Sequence, residues 1–118
     1  MSEMKTYSGS CHCGKVRFEV TAEITSASAC NCSICGRAGW LMVSVPPAQF
    51  KLAAGADAQT DYQFGRKTMH HLFCSTCGVR SFGKYMAEGQ EKVIVNLRCL
   101  EGLDVDELEV RTFDGKSY

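Results

Sequence analysis

Apolar positions in this chain recur every second residue far more often than every third or fourth. The run Lys15-Val16-Arg17-Phe18-Glu19-Val20 alternates strictly and puts Val16, Phe18 and Val20 on one face, the mark of a half-buried strand. Trp40-Leu41-Met42-Val43-Ser44-Val45 reads as a strongly apolar strand stopped by Pro46-Pro47. Lys92-Val93-Ile94-Val95-Asn96-Leu97 is the next best strand. Shorter strands are predicted at residues 23–29, 50–52, 62–64 (ended by Gly65) and 68–73. Residues 79–85 return as the antiparallel partner of 68–73, and residues 109–113 form a last edge strand. Residues 4–10 alternate only weakly, and 53–60, small, polar and glycine-bearing, read as a loop. Residues 33–39 suggest a knuckle or one helical turn, and 104–108 a second such turn. No stretch keeps a helical period over three turns. The fold class is therefore mainly β, built of short strands with turns between them.

Composition changes the picture little. The chain has 118 residues, of which 45% are hydrophobic and 22% charged. It is expected to form one domain over residues 1–118, large enough to build a core without covalent staples. Thirteen basic residues balance thirteen acidic ones, so the basic excess of a non-specific nucleic-acid binder is missing. No apolar run follows a basic start, and none approaches a membrane span. The expectation is a cytoplasmic protein with no nucleic-acid or membrane partner. In a reducing compartment, paired cysteine spacings read as metal ligands or redox groups before disulfides.

The eight cysteines carry the chemistry, and seven of them fall in three clusters. Cys11-His12-Cys13 and Cys74-Ser75-Thr76-Cys77-Gly78 together offer four thiolates, enough to close a tetrahedral zinc site. Cys-x-Cys needs a bent backbone, because neighbours two apart on a strand would not converge with the rest; Gly9 and Gly14 flank it and permit the bend. A redox Cys-x-x-Cys is the competing reading of Cys74 and Cys77, but no thioredoxin-like pattern surrounds it. Cys30-Asn31-Cys32-Ser33-Ile34-Cys35 offers three thiolates. Either a fourth ligand from His12, His70, His71 or Cys99 closes a second structural zinc, or the fourth position stays open. Three thiolates on zinc make a poor generator of hydroxide but a good platform for an incoming thiol. His70 and His71 are adjacent on a predicted strand, so one points in and one out. Cys99 reads as a small buried hydrophobe, and Trp40 as a core or pocket-wall residue. Arg37, Arg66, Lys67, Arg80, Lys84 and Arg98 are carboxylate-binding candidates, most of them simply solvated.

The segments Gly9-Ser10-Cys11-His12-Cys13-Gly14-Lys15-Val16, Cys30-Asn31-Cys32-Ser33-Ile34-Cys35 and His71-Leu72-Phe73-Cys74-Ser75-Thr76-Cys77-Gly78, with Asn96-Leu97-Arg98-Cys99-Leu100 and Phe113-Asp114-Gly115-Lys116 after them, resemble the glutathione-dependent formaldehyde-activating enzyme family. That family also includes centromere protein V. The resemblance implies a β-tent fold, shared with a small zinc-binding Rab accessory factor, and two zinc ions per chain. One would be structural, on Cys11, Cys13, Cys74 and Cys77; the other catalytic and labile, on Cys30, Cys32 and Cys35. It further implies a carbon–sulfur lyase or synthase that joins glutathione to formaldehyde. The thiol partner is then glutathione and the second substrate an aldehyde, with Arg37 beside the knuckle as a candidate for a glutathione carboxylate. The chain would act as a monomer or homodimer. Two readings from other classes stand beside this one: a zinc-stabilised binding module without turnover, and a thiol redox or metal sensor.

Overall fold

The computed structural model describes residues 4–64, 67 and 69–114. Gly65, Arg66 and Thr68, the first three residues and the closing Gly115-Lys116 lie outside the described residues. Among the described residues ten strands follow in chain order: β1 (Lys5–Ser10), β2 (Arg17–Ala22), β3 (Ser26–Cys30), β4 (Met42–Val45), β5 (Phe50–Ala54), β6 (Gln59–Tyr62), β7 (Met69–Cys74), β8 (Phe82–Ala87), β9 (Gln90–Asn96) and β10 (Glu109–Phe113). One short helix, α1 (Ser33–Ala38), sits between β3 and β4. The mainly β expectation holds.

The strands form two sheets. The smaller has the order β1-β2-β5; the larger runs β10-β3-β4-β9-β8-β7-β6. Neighbours in both are antiparallel except β3 and β10, which run parallel from Ser26 opposite Glu109 to Cys30 opposite Phe113. The alternation read in residues 15–20 is what joins the sheets. Val16, Phe18 and Val20 are each 1% exposed or less and pack with Val45, Phe82, Val93 and Val95 of the larger sheet in one core cluster. The rings of Phe18, Phe50 and Phe82 meet at its centre, with Phe50 4.6 Å from Phe82 and 5.4 Å from Phe18. Gly9 lies against that centre. A Cβ there would come within 2.4 Å of the Phe18 ring, so Gly9 is needed for close approach rather than for bending the Cys-x-Cys loop. The bend itself falls at Gly14, whose φ is +83°, a left-handed conformation that glycine adopts without steric cost.

Side chains alternate across a strand, so the larger sheet has a second face. On it a smaller cluster gathers Cys35, Trp40 and Met42, with Cys30, Cys32, Ile34, Met69 and Ile94 packed against them. Several expected strands shift by two or three residues: 15–20 becomes Arg17–Ala22, 40–45 becomes Met42–Val45 and 79–85 becomes Phe82–Ala87. Residues 62–64 were expected to pair, but β6 ends at Tyr62. It begins earlier because a 3-10 turn over Ala56–Ala58, entered through Gly55 at φ +93°, replaces most of the expected loop. Phe64 leaves the ladder and stacks on His71 instead, 5.5 Å between ring centroids. Among the described residues no helix is long and apolar enough to cross a membrane.

Candidate metal centres

The four outer cysteines converge. Cys11 and Cys13 lie in the turn between β1 and β2; Cys74 ends β7, and Cys77 follows in the turn toward β8. All four sulfur atoms lie within 4.8 Å of one another. The Cys11–Cys13 and Cys13–Cys74 sulfur pairs are each 3.6 Å apart. A tetrahedral zinc with bonds of about 2.3 Å separates its sulfurs by about 3.8 Å, so the spacing fits such an ion. Backbone amides turn toward the sulfurs: Val16 N–H donates to Cys11 Sγ at 3.4 Å, and Thr76 and Cys77 N–H donate to Cys74 Sγ at 3.4 and 3.5 Å. His12, between two of the cysteines, is exposed.

The thiols of this cluster pull against one another. Amides near Cys13 and Val79 draw Cys77 down to about 6. The Lys15 amide also favours a thiolate at exposed Cys13, yet the neighbouring thiols of Cys74, Cys11 and Cys77 help raise it to about 11. Sulfurs this close cannot all ionise unless a cation shares their charge. The donor set therefore suits a divalent soft-ligand metal, and the site ties together segments 61 residues apart.

The second group is Cys30, Cys32 and Cys35, whose sulfurs also lie within 4.8 Å of one another. Cys30 ends β3. Cys32 is the N-cap of α1, its sulfur accepting from the Cys35 amide at 3.4 Å. Gly39 at φ +67° closes the helix by donating its N–H to the Cys35 carbonyl. Six helical residues thus turn the chain so that the first and last thiols of the motif face each other. Burial pushes the Cys35 thiol up to about 11, against the pull of the Trp40 N–H. Cys32 moves the other way; burial opposes its charge, but the Cys35 and Ile34 amides and the neighbouring thiols prevail. No His, Asp or Glu among the described residues joins this group. His12, His70, His71 and Cys99, the fourth-ligand candidates, all stay out of it.

The two histidines divide as expected. His70 is exposed and pairs with Asp61, Nδ1 to Oδ2 at 2.6 Å. His71 is 4% exposed. Burial, then the charge of Arg80, holds its pKa down at about 4. Cys99 is half-buried and its thiol donates toward the Arg80 carbonyl at 3.9 Å. Arg37 is exposed, on the last turn of α1, and its Nη1 donates to the Ser33 carbonyl at 2.8 Å.

Sequence reasoning named Arg80 only among six carboxylate-binding candidates and gave it no place at the cysteine cluster. Its guanidinium stacks 3.8 Å over the Trp40 ring and donates to Nδ1 of His71. The charges at Cys35 and Cys32 act on it. A basic residue two positions after the Cys77-Gly78 turn was the available signal.

A family model described as glutathione-dependent formaldehyde-activating enzyme matches residues 6–112. Among solved structures, the chain is similar to the crystal structure of a Rhodobacter sphaeroides protein. The two share 32% identity over 88% of this chain and 99% of that one, with a TM-score of 0.75.

Proposed function

The chain belongs to the glutathione-dependent formaldehyde-activating enzyme family, and from that premise we propose that it is a carbon–sulfur lyase or synthase acting on a thiol, glutathione in the first instance, and an aldehyde such as formaldehyde. The observation that carries this reading is the difference between the two cysteine groups. Four sulfurs converge at one and three at the other, with no further ligating side chain among the described residues at the second. A closed set suits a structural ion, whereas an incomplete set leaves a position for a reactant.

In this proposal Cys11, Cys13, Cys74 and Cys77 hold a structural zinc, and Cys30, Cys32 and Cys35 hold the catalytic one. The residues fit zinc by donor type and spacing. When bound at the second site, zinc lowers the pKa of a thiol and fixes the sulfur in place. The chain supplies the remainder. Cys30, Cys32 and Cys35 pack with Trp40 in the smaller apolar cluster, so in this proposal the substrate sulfur is held next to Trp40. In the same proposal Arg37, exposed on the last turn of α1, meets a carboxylate of the thiol substrate. The reaction balances without a redox partner. The thiolate sulfur attacks the aldehyde carbon, the C–S bond forms as the C=O π bond opens, and the thiol proton ends on oxygen. The reverse sequence cleaves the S-hydroxymethyl adduct. A reducing compartment such as the cytoplasm keeps all eight thiols in the free form seen here.

The test is Cys32→Ala. It is expected to remove one zinc and all thiol–aldehyde turnover, with the circular dichroism spectrum of the fold unchanged. Activity retained in that variant would sink the mechanism. A variant that unfolds would favour a purely structural second site, and hence a binding module.

A further inference from the structure

Arg80 is held as few surface arginines are. Its carbonyl accepts from Asn96 Nδ2 at 2.8 Å, which pins the backbone just after the Cys77-Gly78 turn. Its guanidinium lies 3.8 Å over the Trp40 ring, and one end of the fork donates to Nδ1 of His71. His71 is itself braced by Phe64, 5.5 Å between ring centroids. Trp40 packs against Cys35, and the Arg80 Nε and Trp40 Nε1 donors are both buried. Both donors face the three-cysteine cluster: the Trp40 N–H favours a thiolate at Cys35, and negative charge at Cys35 and Cys32 favours the Arg80 cation against its burial.

Charge counting says which ligand. Three thiolates around a divalent cation leave one net negative charge, and a thiolate substrate adds another. Gathering that charge in a half-buried site is costly without a counter-charge. The flat, always-charged guanidinium of arginine suits this task, since it can stack on an aromatic ring and still present donors at its edge. We infer that Arg80, braced by Trp40 and His71, is a positioning residue that favours an anionic sulfur ligand, the substrate thiolate, at the Cys30/Cys32/Cys35 cluster. The inference rests on the thiol reading of that site and adds to it the residue that discriminates a thiolate from a neutral ligand.

Trp40 is the chain's single tryptophan, so its fluorescence reports the site directly. Zinc-loaded wild type, Arg80→Gln and Arg80→Lys would be titrated with glutathione, and with S-methylglutathione as a probe lacking the thiol. A chromophoric chelator would measure zinc release from the same samples. The expected result is that glutathione, and not S-methylglutathione, perturbs Trp40 emission in the wild type. Arg80→Gln should bind glutathione about tenfold more weakly and release one of its two zinc ions about tenfold more readily, the scale of a lost charge-assisted contact. Arg80→Lys should recover part of both losses. Retention of the second zinc shows that each variant is folded. If the wild type binds glutathione and Arg80→Gln matches it in both measurements, the inference on Arg80 falls while the thiol reading stands. If the wild type itself ignores glutathione, the thiol reading has failed, and the preference for a thiolate fails with it.

Discussion

His71 makes the stability of this protein depend on pH in a direction that can be worked out in advance. The imidazole is buried at 4% exposure, and its Nδ1 accepts from Arg80. The ring is therefore neutral in the fold, with its proton on Nε2. Burial, and then the Arg80 charge, lowers its pKa from 6.5 to about 4. Between those values the unfolded chain takes up a proton that the folded one refuses, so stability rises with pH across that window and is lost on acidification through it. At about 1.4 kcal/mol per pH unit, the loss is about 2 kcal/mol by pH 5 and levels off near 3 kcal/mol below pH 4. Cysteine ligands also take up protons in acid, so the comparison must isolate the histidine. His71→Asn keeps an acceptor for Arg80 but cannot titrate. Urea unfolding followed by Trp40 fluorescence, at steps from pH 7 to 4.5, should show the wild type losing about 2 kcal/mol more than His71→Asn by pH 5. Parallel curves for the two proteins would refute the reasoning. So would an NMR titration in which the His71 ring protonates near pH 6.5.

Three further substitutions probe the frame around the two sites. Gly9→Ala drives a Cβ to 2.4 Å from the Phe18 ring; thermal unfolding should register a loss of about 1–3 kcal/mol from overpacking. Gly55→Ala meets the Lys15 carbonyl oxygen at 2.3 Å and must also hold φ near +93°. It should therefore distort the loop carrying Cys11 and Cys13, and chelator competition should find the tighter of the two zinc ions loosened. Cys74→Ser should lower the melting temperature far more than Cys32→Ser. Cys74 is 1% exposed and its cluster ties chain segments 61 residues apart, whereas Cys32 caps one six-residue helix. Equal losses in the two variants would contradict the assignment of structural weight to the four-cysteine cluster.

The parts of this fold legible in the sequence are those that local pattern controls. Strict alternation in residues 15–20 named Phe18 and Val20 on the inner face of β2 and Val16 just before it, because a half-buried strand cannot place them otherwise. Cysteine spacing likewise named both clusters, since thiols two or three residues apart must converge when a turn or helical cap bends the chain between them. What escaped was set by partners distant in sequence. The parallel pairing of β10 with β3 leaves no local trace in residues 109–113, which read only as an edge strand. Tyr62 and Phe64 alternate like strand residues, yet Phe64 gains more by stacking on a histidine brought alongside by β7. Arg80 was one of six basic residues named as carboxylate-binding candidates, set apart only by following the Cys77-Gly78 turn by two positions. Its place beside Cys35 follows from Trp40, forty residues earlier in the chain, lying under it.

Metal content tests most directly the proposal that one cysteine site is closed and the other open. Zinc per chain would be measured on freshly purified protein, then after mild chelation and after addition of glutathione. Two equivalents are predicted, with one released easily and perturbed by glutathione while the other resists both treatments. Two equally tight ions that ignore thiols would contradict the open site and make the middle cluster a second structural clamp; a single ion would leave its cysteines free and turn attention to redox chemistry.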